Sequence, residues 1–260
     1  MSNIKIFDVN YVEYNNNITG TNLNTATALY AYDNHSDKGL CEFSTQTGSF
    51  ECNWLSSTFF YIKDFFLNNT NIENGSFSVH TGTSWSTIVS FVVSGTSHYY
   101  SHASTIQAYK VGFSYTTTQD SISAYVGEFV STVEKFSLNC NPSRILPKIS
   151  DVGQGNNIWD GAVQWNGRET YFSCDLDWGF LQGTIGSVAN TDLENMTELS
   201  RQKPSFLLWL NGNTTTYPDI RPWRKEDLYK CKLLNNTTYE PVRPNLIHVI
   251  NAKFSAQEVV

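Results

Sequence analysis

Apolar and polar residues alternate through much of the first 136 residues. Six runs rich in β-branched and aromatic residues follow this pattern: Ile4 to Tyr14, Ala26 to Tyr32, Phe59 to Leu67, Ile88 to Val93, Ile106 to Tyr115 and Ile122 to Phe136. A period of two is typical of strands that bury one face. The pattern predicts an all-β fold with an antiparallel sandwich or sheet core and long loops.

Turn and helix signals complete this prediction. Asn-Gly dipeptides at Asn74-Gly75, Asn166-Gly167 and Asn211-Gly212 favour tight turns, and the second predicts a hairpin between 162–165 and 168–172. One short helix is predicted at 191–202, because Thr191 with Glu194 three residues later forms a capping box.

Composition changes at Asn141. All seven prolines and every arginine follow this residue. The change indicates either a domain boundary or a passage from regular strands to loop-rich structure.

Charge and aromatic content narrow the function classes. Only 16% of residues are charged, against roughly 25% in ordinary soluble domains, while the chain contains 7 Trp, 14 Tyr and 16 Phe. The net charge of −7 argues against nucleic acid or an anionic membrane as partner. No run is long enough to span a bilayer, so we expect no membrane insertion by this fragment.

The sequence also favours an extracellular origin. It holds eight Asn-x-Ser/Thr sequons, the expected sites of a glycoprotein, at Asn17, Asn34, Asn68, Asn74, Asn195, Asn213, Asn235 and Asn236. The first ten residues lack the apolar run of a signal peptide. We therefore expect an excised fragment of a protein that passes through the secretory pathway.

Five cysteines are present: Cys41, Cys52, Cys140, Cys174 and Cys231. Their spacing resembles no zinc site, so no metal or cofactor is expected. The odd number favours disulfide bonds with one thiol left over, and Cys41 and Cys52 flank a Thr-Gly turn where a disulfide could staple a hairpin. The alternative is a cytosolic protein with five buried thiols.

Several short motifs, in the same order, resemble coronavirus spike glycoproteins, most closely the avian gammacoronaviruses. The resemblance starts at Leu40–Phe43 and Thr47–Phe50, continues through Phe59–Phe66 and Thr105–Tyr109, and is carried further by the segments 136–141, 155–159, 179–183, 231–234 and 242–249. The chain departs from the avian pattern because 207–227 contains no cysteine and Cys41 has no upstream partner.

The resemblance implies a division of the chain and a function. Residues 51–231 would form the receptor-binding domain of the surface subunit, and 1–50 with 232–260 a small β flanking subdomain. The fragment would belong to a homotrimeric spike on the extracellular face of the virion membrane envelope. There it would mediate host attachment by binding a cell-surface glycan or glycoprotein receptor.

Candidate ligand-binding residues come from aromatic and polar clusters. They are His98, Tyr99, Tyr100 and His102 in one strand or exposed loop, Trp159 and Asp160 in a turn, and Asp177 and Trp178 after Cys174. Aromatic rings can stack on the apolar face of a sugar. Each cluster has an ordinary structural alternative, namely a solvated loop, a strand end beside a disulfide, or core packing. Core packing is the expectation for Trp85, Trp165 and Trp209.

No catalytic residues are expected. Glu128 and Glu134 would share one face of a strand but lie about 20 Å apart at ~3.3 Å per residue, whereas a retaining glycosidase places its two carboxyl groups about 5 Å apart. Two alternatives to an attachment domain stay open, namely a secreted β-sandwich carbohydrate-active enzyme and a cytosolic lectin-like protein.

Overall fold

The computed structural model describes residues 4–33, 39–55, 57–92, 96–119, 122–139, 144–157, 163–184, 188–202, 204–210, 228–233, 240–243 and 246–258. The chain divides into two units. One, here called the split unit, consists of Met1–Ile6, Phe136–Lys225 and Tyr229–Val260. The other, here called the sandwich unit, consists of Phe7–Lys135 and Glu226–Leu228.

The strands are, in chain order, β1 (Lys5–Phe7), β2 (Asn17–Thr19), β3 (Cys41–Glu42), β4 (Gly48–Asn53), β5 (Phe60–Thr70), β6 (Ile72–His80), β7 (Trp85–Val92), β8 (Ser97–Ala108), β9 (Lys110–Thr118), β10 (Tyr125–Thr132), β11 (Glu134–Ser137), β12 (Arg144–Asn157), β13 (Val163–Thr184), β14 (Phe206–Trp209), β15 (Leu228–Leu233), β16 (Glu240–Arg243) and β17 (Leu246–Glu258). The described helices are α1 (Val188–Gln202) and two short 3-10 helices, Tyr11–Tyr14 and Ala28–Ala31. None of the described helices is long and apolar enough to cross a membrane.

The sandwich unit contains two antiparallel sheets. One has the order β3-β10-β5-β8 and the other β2-β4-β9-β6-β7. Aromatic rings from both sheets meet in one core: Phe65 stacks on Phe77 at 5.3 Å, and Phe129 contacts Phe50 at 5.8 Å and Phe113 at 5.1 Å between ring centroids. Such ring pairs add about 0.5–1.5 kcal/mol each beyond their buried area, so this core holds the two sheets face to face.

Two irregularities shape the strands that carry the candidate site. The pairing of β5 with β8 shifts between Ile62 and Asp64, so the side-chain alternation of β5 changes phase there and both Ile62 and Phe65 face the core. Tyr109 separates β8 from β9, which belong to different sheets. Its backbone N–H donates to the carbonyl of His80 at 2.8 Å and fixes this corner.

The split unit is built on one eight-stranded sheet, in the order β11-β1-β14-β15-β17-β13-β12 with β16 beside β17. Strands β12 and β13 form a long antiparallel pair. All four residues of β14 are buried, which matches its uninterrupted apolar sequence. Helix α1 contributes the buried side chain of Met196, and its Asp192 accepts a hydrogen bond from Asn139 at 2.9 Å.

The all-β prediction is confirmed, with an antiparallel sandwich and one α-helix in the described part of the chain. Four predicted strands correspond to observed ones, although Ile106 to Tyr115 is split at Tyr109 and Ile122 to Phe136 is split at Val133. The helix extends from Val188 rather than Thr191, so Thr191 lies inside it and does not cap it.

Two strand predictions are wrong, and in both segments an asparagine side chain accepts a hydrogen bond from a nearby backbone N–H. Ala26 to Tyr32 contains a 3-10 helix, and Ile4 to Tyr14 is a strand only at Lys5–Phe7 before a second 3-10 helix. The side-chain oxygen of Asn10 accepts from Val12 N, and that of Asn24 accepts from Ala26 N. Such local bonds offer the backbone an alternative to the sheet ladder.

The Asn-Gly turns are also corrected. Asn74-Gly75 lies within β6 and Asn166-Gly167 within β13, each where the strand register shifts. The Gly75 position is crowded, since a Cβ there would lie 2.5 Å from the carbonyl oxygen of Ser114. Both dipeptides therefore mark β-bulges rather than hairpin turns. Asn211-Gly212 lies outside the described residues.

The observed division of the chain differs from the predicted one. Residues 7–50 are part of the sandwich unit, because β4 pairs with β9 and β3 pairs with β10. The chain enters the split unit at Phe136, just before the change of composition at Asn141. Residues 4–6 belong to the split unit together with the described parts of 136–225 and 229–258.

Candidate functional site

His98 lies inside strand β8 and faces the core of the sandwich. It opposes Leu67 of β5, and its ring lies 4.7 Å from that of Phe91 and 5.7 Å from that of Phe77. Its Nε2 atom is buried and has no hydrogen-bond partner within the described part of the chain. Burial lowers the pKa of the imidazole, so His98 packs as a neutral ring.

Tyr99 and Tyr100 also serve packing. Tyr99 stacks on Phe66 at 4.5 Å, and its hydroxyl donates to the buried Asp64 carboxylate at 2.9 Å. Asp64 also accepts from the backbone N–H of Glu134 at 3.0 Å. Tyr100, on the opposite face of β8, is half-buried beside Phe65. His98, Tyr99 and Tyr100 thus all make packing contacts, and their predicted role in ligand binding stays a prediction.

His102 lies at a bulge on the surface. Strand β8 places residues 102–105 opposite the single residue Lys63 of β5, so this segment projects from the sheet. A hydrogen bond of 2.8 Å joins Nδ1 of His102 and the carbonyl oxygen of Ser104. Residues 103–105 are exposed. Of the four predicted residues in β8, His102 is the one with a surface position.

Of the other four predicted site residues, the structure describes only the backbone of two. Trp159 and Asp160 lie outside the described residues. Asp177 and Trp178 belong to β13, opposite Arg144 of β12 and Ala252 of β17 respectively, but their side chains lie outside the described part. In the described residues, no cluster of three or more His, Cys, Asp or Glu could hold a metal ion.

Three aromatic side chains instead form an exposed cluster at the end of the sandwich where β8 turns into β9. Phe59 is 40% exposed and Tyr61 is 55% exposed. The ring of Phe59 lies 5.6 Å from that of Tyr61 and 5.7 Å from that of Tyr109. We call Phe59, Tyr61 and Tyr109 the aromatic ridge.

Phe60 explains why the ridge faces outward. Its ring is held by Trp54 at 4.8 Å and by Tyr11, which stacks on it at 4.6 Å. Because successive strand residues point to opposite sides, fixing Phe60 inward directs Phe59 and Tyr61 outward. The Trp54 indole N–H donates to the carbonyl of Tyr11 at 2.9 Å and keeps this anchor in place.

The β6–β7 turn supports Tyr109 from the other side. Gly82 has a φ of 104°, and a Cβ at this position would lie 3.2 Å from the Tyr109 ring. The Gly82 N–H donates to Nδ1 of His80 at 3.1 Å, and the His80 ring lies 5.6 Å from that of Trp85. The turn therefore requires glycine, and it carries two further rings next to the ridge.

The ridge combines flat apolar surfaces with neutral polar groups. Gln107 lies opposite Tyr61 in the strand register, and its side-chain amide donates to the Tyr109 hydroxyl at 3.2 Å. Thr81, Thr83 and Ser84 are exposed on the adjacent turn. The arrangement is suited to binding by stacking and hydrogen bonds.

Sequence reasoning missed the ridge, although one signal was present. Phe59, Phe60 and Tyr61 are consecutive, so a strand cannot direct all three rings into one core. Trp85 was expected inside but is 38% exposed, whereas Trp209 is buried as expected. The side chain of Trp165 lies outside the described part.

The predicted disulfide bond between Cys41 and Cys52 is not formed. Cys41 and Cys52 are buried thiols in strands of different sheets, β3 and β4. Burial raises the pKa of Cys41 to about 12 and also raises the pKa of Cys52. The Cys52 thiol donates weakly to the carbonyl of Val12 at 3.8 Å. Cys231 is buried, while Cys140 and the side chain of Cys174 lie outside the described part.

The sequons have different environments. Asn68 is fully buried opposite Glu128 of β10, so the folded protein has no room for a glycan there and this expectation is corrected. Asn17 is exposed, and Asn74 and Asn195 are half-buried. The sequons outside the described residues are Asn34, Asn213, Asn235 and Asn236.

Comparisons with known proteins give structural likenesses only. No protein-family model matches the chain, and no curated protein does. The chain is similar to the family 32 carbohydrate-binding module from Clostridium perfringens NanJ, solved with galactose, at 10% identity and TM-score 0.41, over 51% of this chain and 99% of that one.

Two modules of a chitosanase/glucanase from Paenibacillus sp. IK-5 are also similar. Chitosan-binding module 2, solved with chitotriose, has 18% identity and TM-score 0.40, over 46% of this chain and 98% of that one. Chitosan-binding module 1 has 16% identity and TM-score 0.40, over 46% of this chain and 96% of that one.

Proposed function

We propose that the sandwich unit is a glycan-binding module and that it holds a sugar on the aromatic ridge. The observation that carries the proposal is the outward position of Phe59 and Tyr61, which are 40% and 55% exposed beside Tyr109. Large rings placed side by side on a surface are typical of binding sites rather than of ordinary solvated surface.

The chemistry of the ridge favours a neutral sugar. Pyranose rings offer apolar C–H faces that stack on aromatic rings, with hydroxyl groups at their edges for hydrogen bonds. The Tyr61 and Tyr109 hydroxyls and the Gln107 amide supply such bonds. The segment between Glu73 and Lys110, which carries Gln107 and Tyr109, contains no Asp, Glu, Lys or Arg, so the cations nearest to the ridge in the sequence are Lys63 and Lys110.

A glycan array tests the proposal. The full chain is presented in multivalent form, because single sugar sites bind weakly and gain strength from multivalency. We expect binding to a restricted class of neutral glycans. A blank array, or binding only to sialylated or sulfated glycans, would overturn the proposal.

We further propose that this module is part of a viral spike and attaches the virion to its host cell. It is supported by the ordered motifs that resemble coronavirus spikes, and it implies a trimeric parent protein on the virion surface. The buried thiols of Cys41 and Cys52 argue against this proposal. Extracellular proteins usually pair their cysteines in disulfide bonds, so five cysteines predict one unpaired thiol, whereas these two are both unpaired. Staining of avian epithelium that is lost after glycosidase treatment would support attachment, whereas array binding without any staining would contradict it.

A further inference from the structure

The two sides of the sandwich differ in the lengths of their edge strands. On one side the edges are β2 and β3, which have three and two residues. On the other side they are β7 and β8, which have 8 and 12 residues. Very short edge strands limit pairing with other chains. The side formed by β7 and β8 lacks this protection.

The long edges also lack the charges and prolines that usually prevent association. Residues 74–109 contain no Asp, Glu, Lys, Arg or Pro. Edge strands in soluble proteins are normally protected by such residues. Strand β8 is interrupted by the bulge at 102–105, whereas β7 carries a single extra residue, Ile88, opposite the step from Phe77 to Ser78.

Two apolar side chains are exposed at the ends of β7. Val92 is 76% exposed and Trp85 is 38% exposed. Both belong to the outer face of the sheet, as do Thr87 and Ser90, whereas Phe91 is buried in the core. The outer face of β7 therefore offers an apolar residue at each end and a hydroxyl residue on each side of the bulge.

We propose that β7 pairs antiparallel with β7 of a second copy of this chain, with Trp85 opposite Val92. The same register places Thr87 opposite Ser90 and brings the two bulges together at the two-fold axis. Aromatic–β-branched and Thr–Ser pairs are both favourable across antiparallel strands. The edge is thus self-complementary, and because it is uncharged, two copies meet without repulsion along the pairing strands.

The pairing joins two five-stranded sheets into one and covers the exposed apolar ends of β7. It also has a consequence that rests on the proposed function. Since Trp85 lies beside His80 at the ridge end of the sandwich, antiparallel pairing sets two ridges at opposite ends of a strand pair about 23 Å long, at ~3.3 Å per residue. Such a dimer would be bivalent for glycans.

The first test is the mass of the protein in solution, measured without sugar. The chain has a mass of 29.4 kDa, and we expect light scattering coupled to size exclusion to give twice this mass at high micromolar concentration. Val92→Glu should give a monomer, because it replaces the apolar contact with the partner's Trp85 by a carboxylate against the negative face of the indole. Ile122→Glu is the matched control, since Ile122 is also exposed, at 54%, but lies outside β7.

A wild-type monomer at all concentrations up to millimolar overturns the proposal. So does a dimer that Val92→Glu leaves intact, or one that both glutamate variants dissociate equally. Because no sugar is present, these outcomes are independent of the glycan array.

The second test fixes the register. Cα atoms opposite each other in antiparallel strands lie about 4.5–5.5 Å apart, which falls within the range of about 4.4–6.8 Å that a disulfide spans. Thr87→Cys combined with Ser90→Cys should therefore form an intermolecular disulfide on mild oxidation. Thr87→Cys alone should not, because its partner position is Ser90. Equal cross-linking of both variants, or none in the double variant, overturns the register.

Discussion

The imidazole of His98 packs against the rings of Phe77 and Phe91, and this environment has a measurable consequence. Burial lowers the pKa of His98 below its usual value, so below about pH 6.5 the unfolded chain binds a proton that the folded chain resists. The free energy of unfolding should therefore fall as the pH drops through this region.

His98→Phe should remove this dependence, because phenylalanine fills the site without titrating. Chemical denaturation at pH 7.5 and pH 5.5 measures the difference. Tyr100→Phe is the control, because it changes a neighbouring ring of β8 without removing an imidazole and should leave the slope as in the wild type. An unchanged slope in His98→Phe would show that other groups cause the acid sensitivity.

The three consecutive aromatic residues 59–61 show which part of the ridge can be predicted from the sequence. That Phe59, Phe60 and Tyr61 cannot share one face follows from strand geometry. Which of them faces inward depends on Tyr11 and Trp54, which reach Phe60 from elsewhere in the chain. The sequence therefore predicts an exposed ring in this segment without identifying it.

At the scale of single elements, the β6–β7 turn links the fold to the ridge. Gly82 combines a positive φ with close contact to the Tyr109 ring. Gly82→Val should lower the free energy of unfolding by about 1–3 kcal/mol through backbone strain and should weaken sugar binding by displacing Tyr109. Thermal and chemical unfolding measure the first effect, and titration with an array-selected sugar measures the second.

The neighbouring substitution Thr83→Val provides the control for Gly82→Val. Thr83 is exposed in the same turn, so its replacement should change stability by less than about 0.5 kcal/mol. If both variants behave alike, the contact between Gly82 and Tyr109 has no special role.

Strands were predicted correctly where the whole alternating run lies in one sheet. The prediction failed where a local side-chain hydrogen bond replaces strand pairing, or where the chain passes from one sheet to the other. The run at 59–67 lies in β5 apart from its first residue, because its apolar positions meet one core. The run at 106–115 alternates on each side of Tyr109, but its phase changes between Ala108 and Tyr109, where the chain passes from one sheet to the other. Alternation carries no information about which sheet a residue joins.

At the scale of the whole molecule, the uneven distribution of charge agrees with the two proposed surfaces. The net charge is −7, yet β7, β8 and the turn beside the ridge carry no charged residue. An uncharged side suits both a neutral sugar and a second copy of the chain. The thiols of Cys41 and Cys52 belong to the core of the same unit, so folding of the sandwich does not depend on a disulfide between them.

The most direct test of the ridge is a calorimetric titration of an array-selected neutral glycan into wild type, Tyr61→Ala and Ile122→Ala. Tyr61 is 55% exposed and Ile122 is 54% exposed, but only Tyr61 belongs to the ridge. We expect Tyr61→Ala to weaken binding about tenfold, which corresponds to ~1.4 kcal/mol, while Ile122→Ala binds like the wild type. Equal affinity of all three proteins would contradict the assignment of the sugar site to the aromatic ridge.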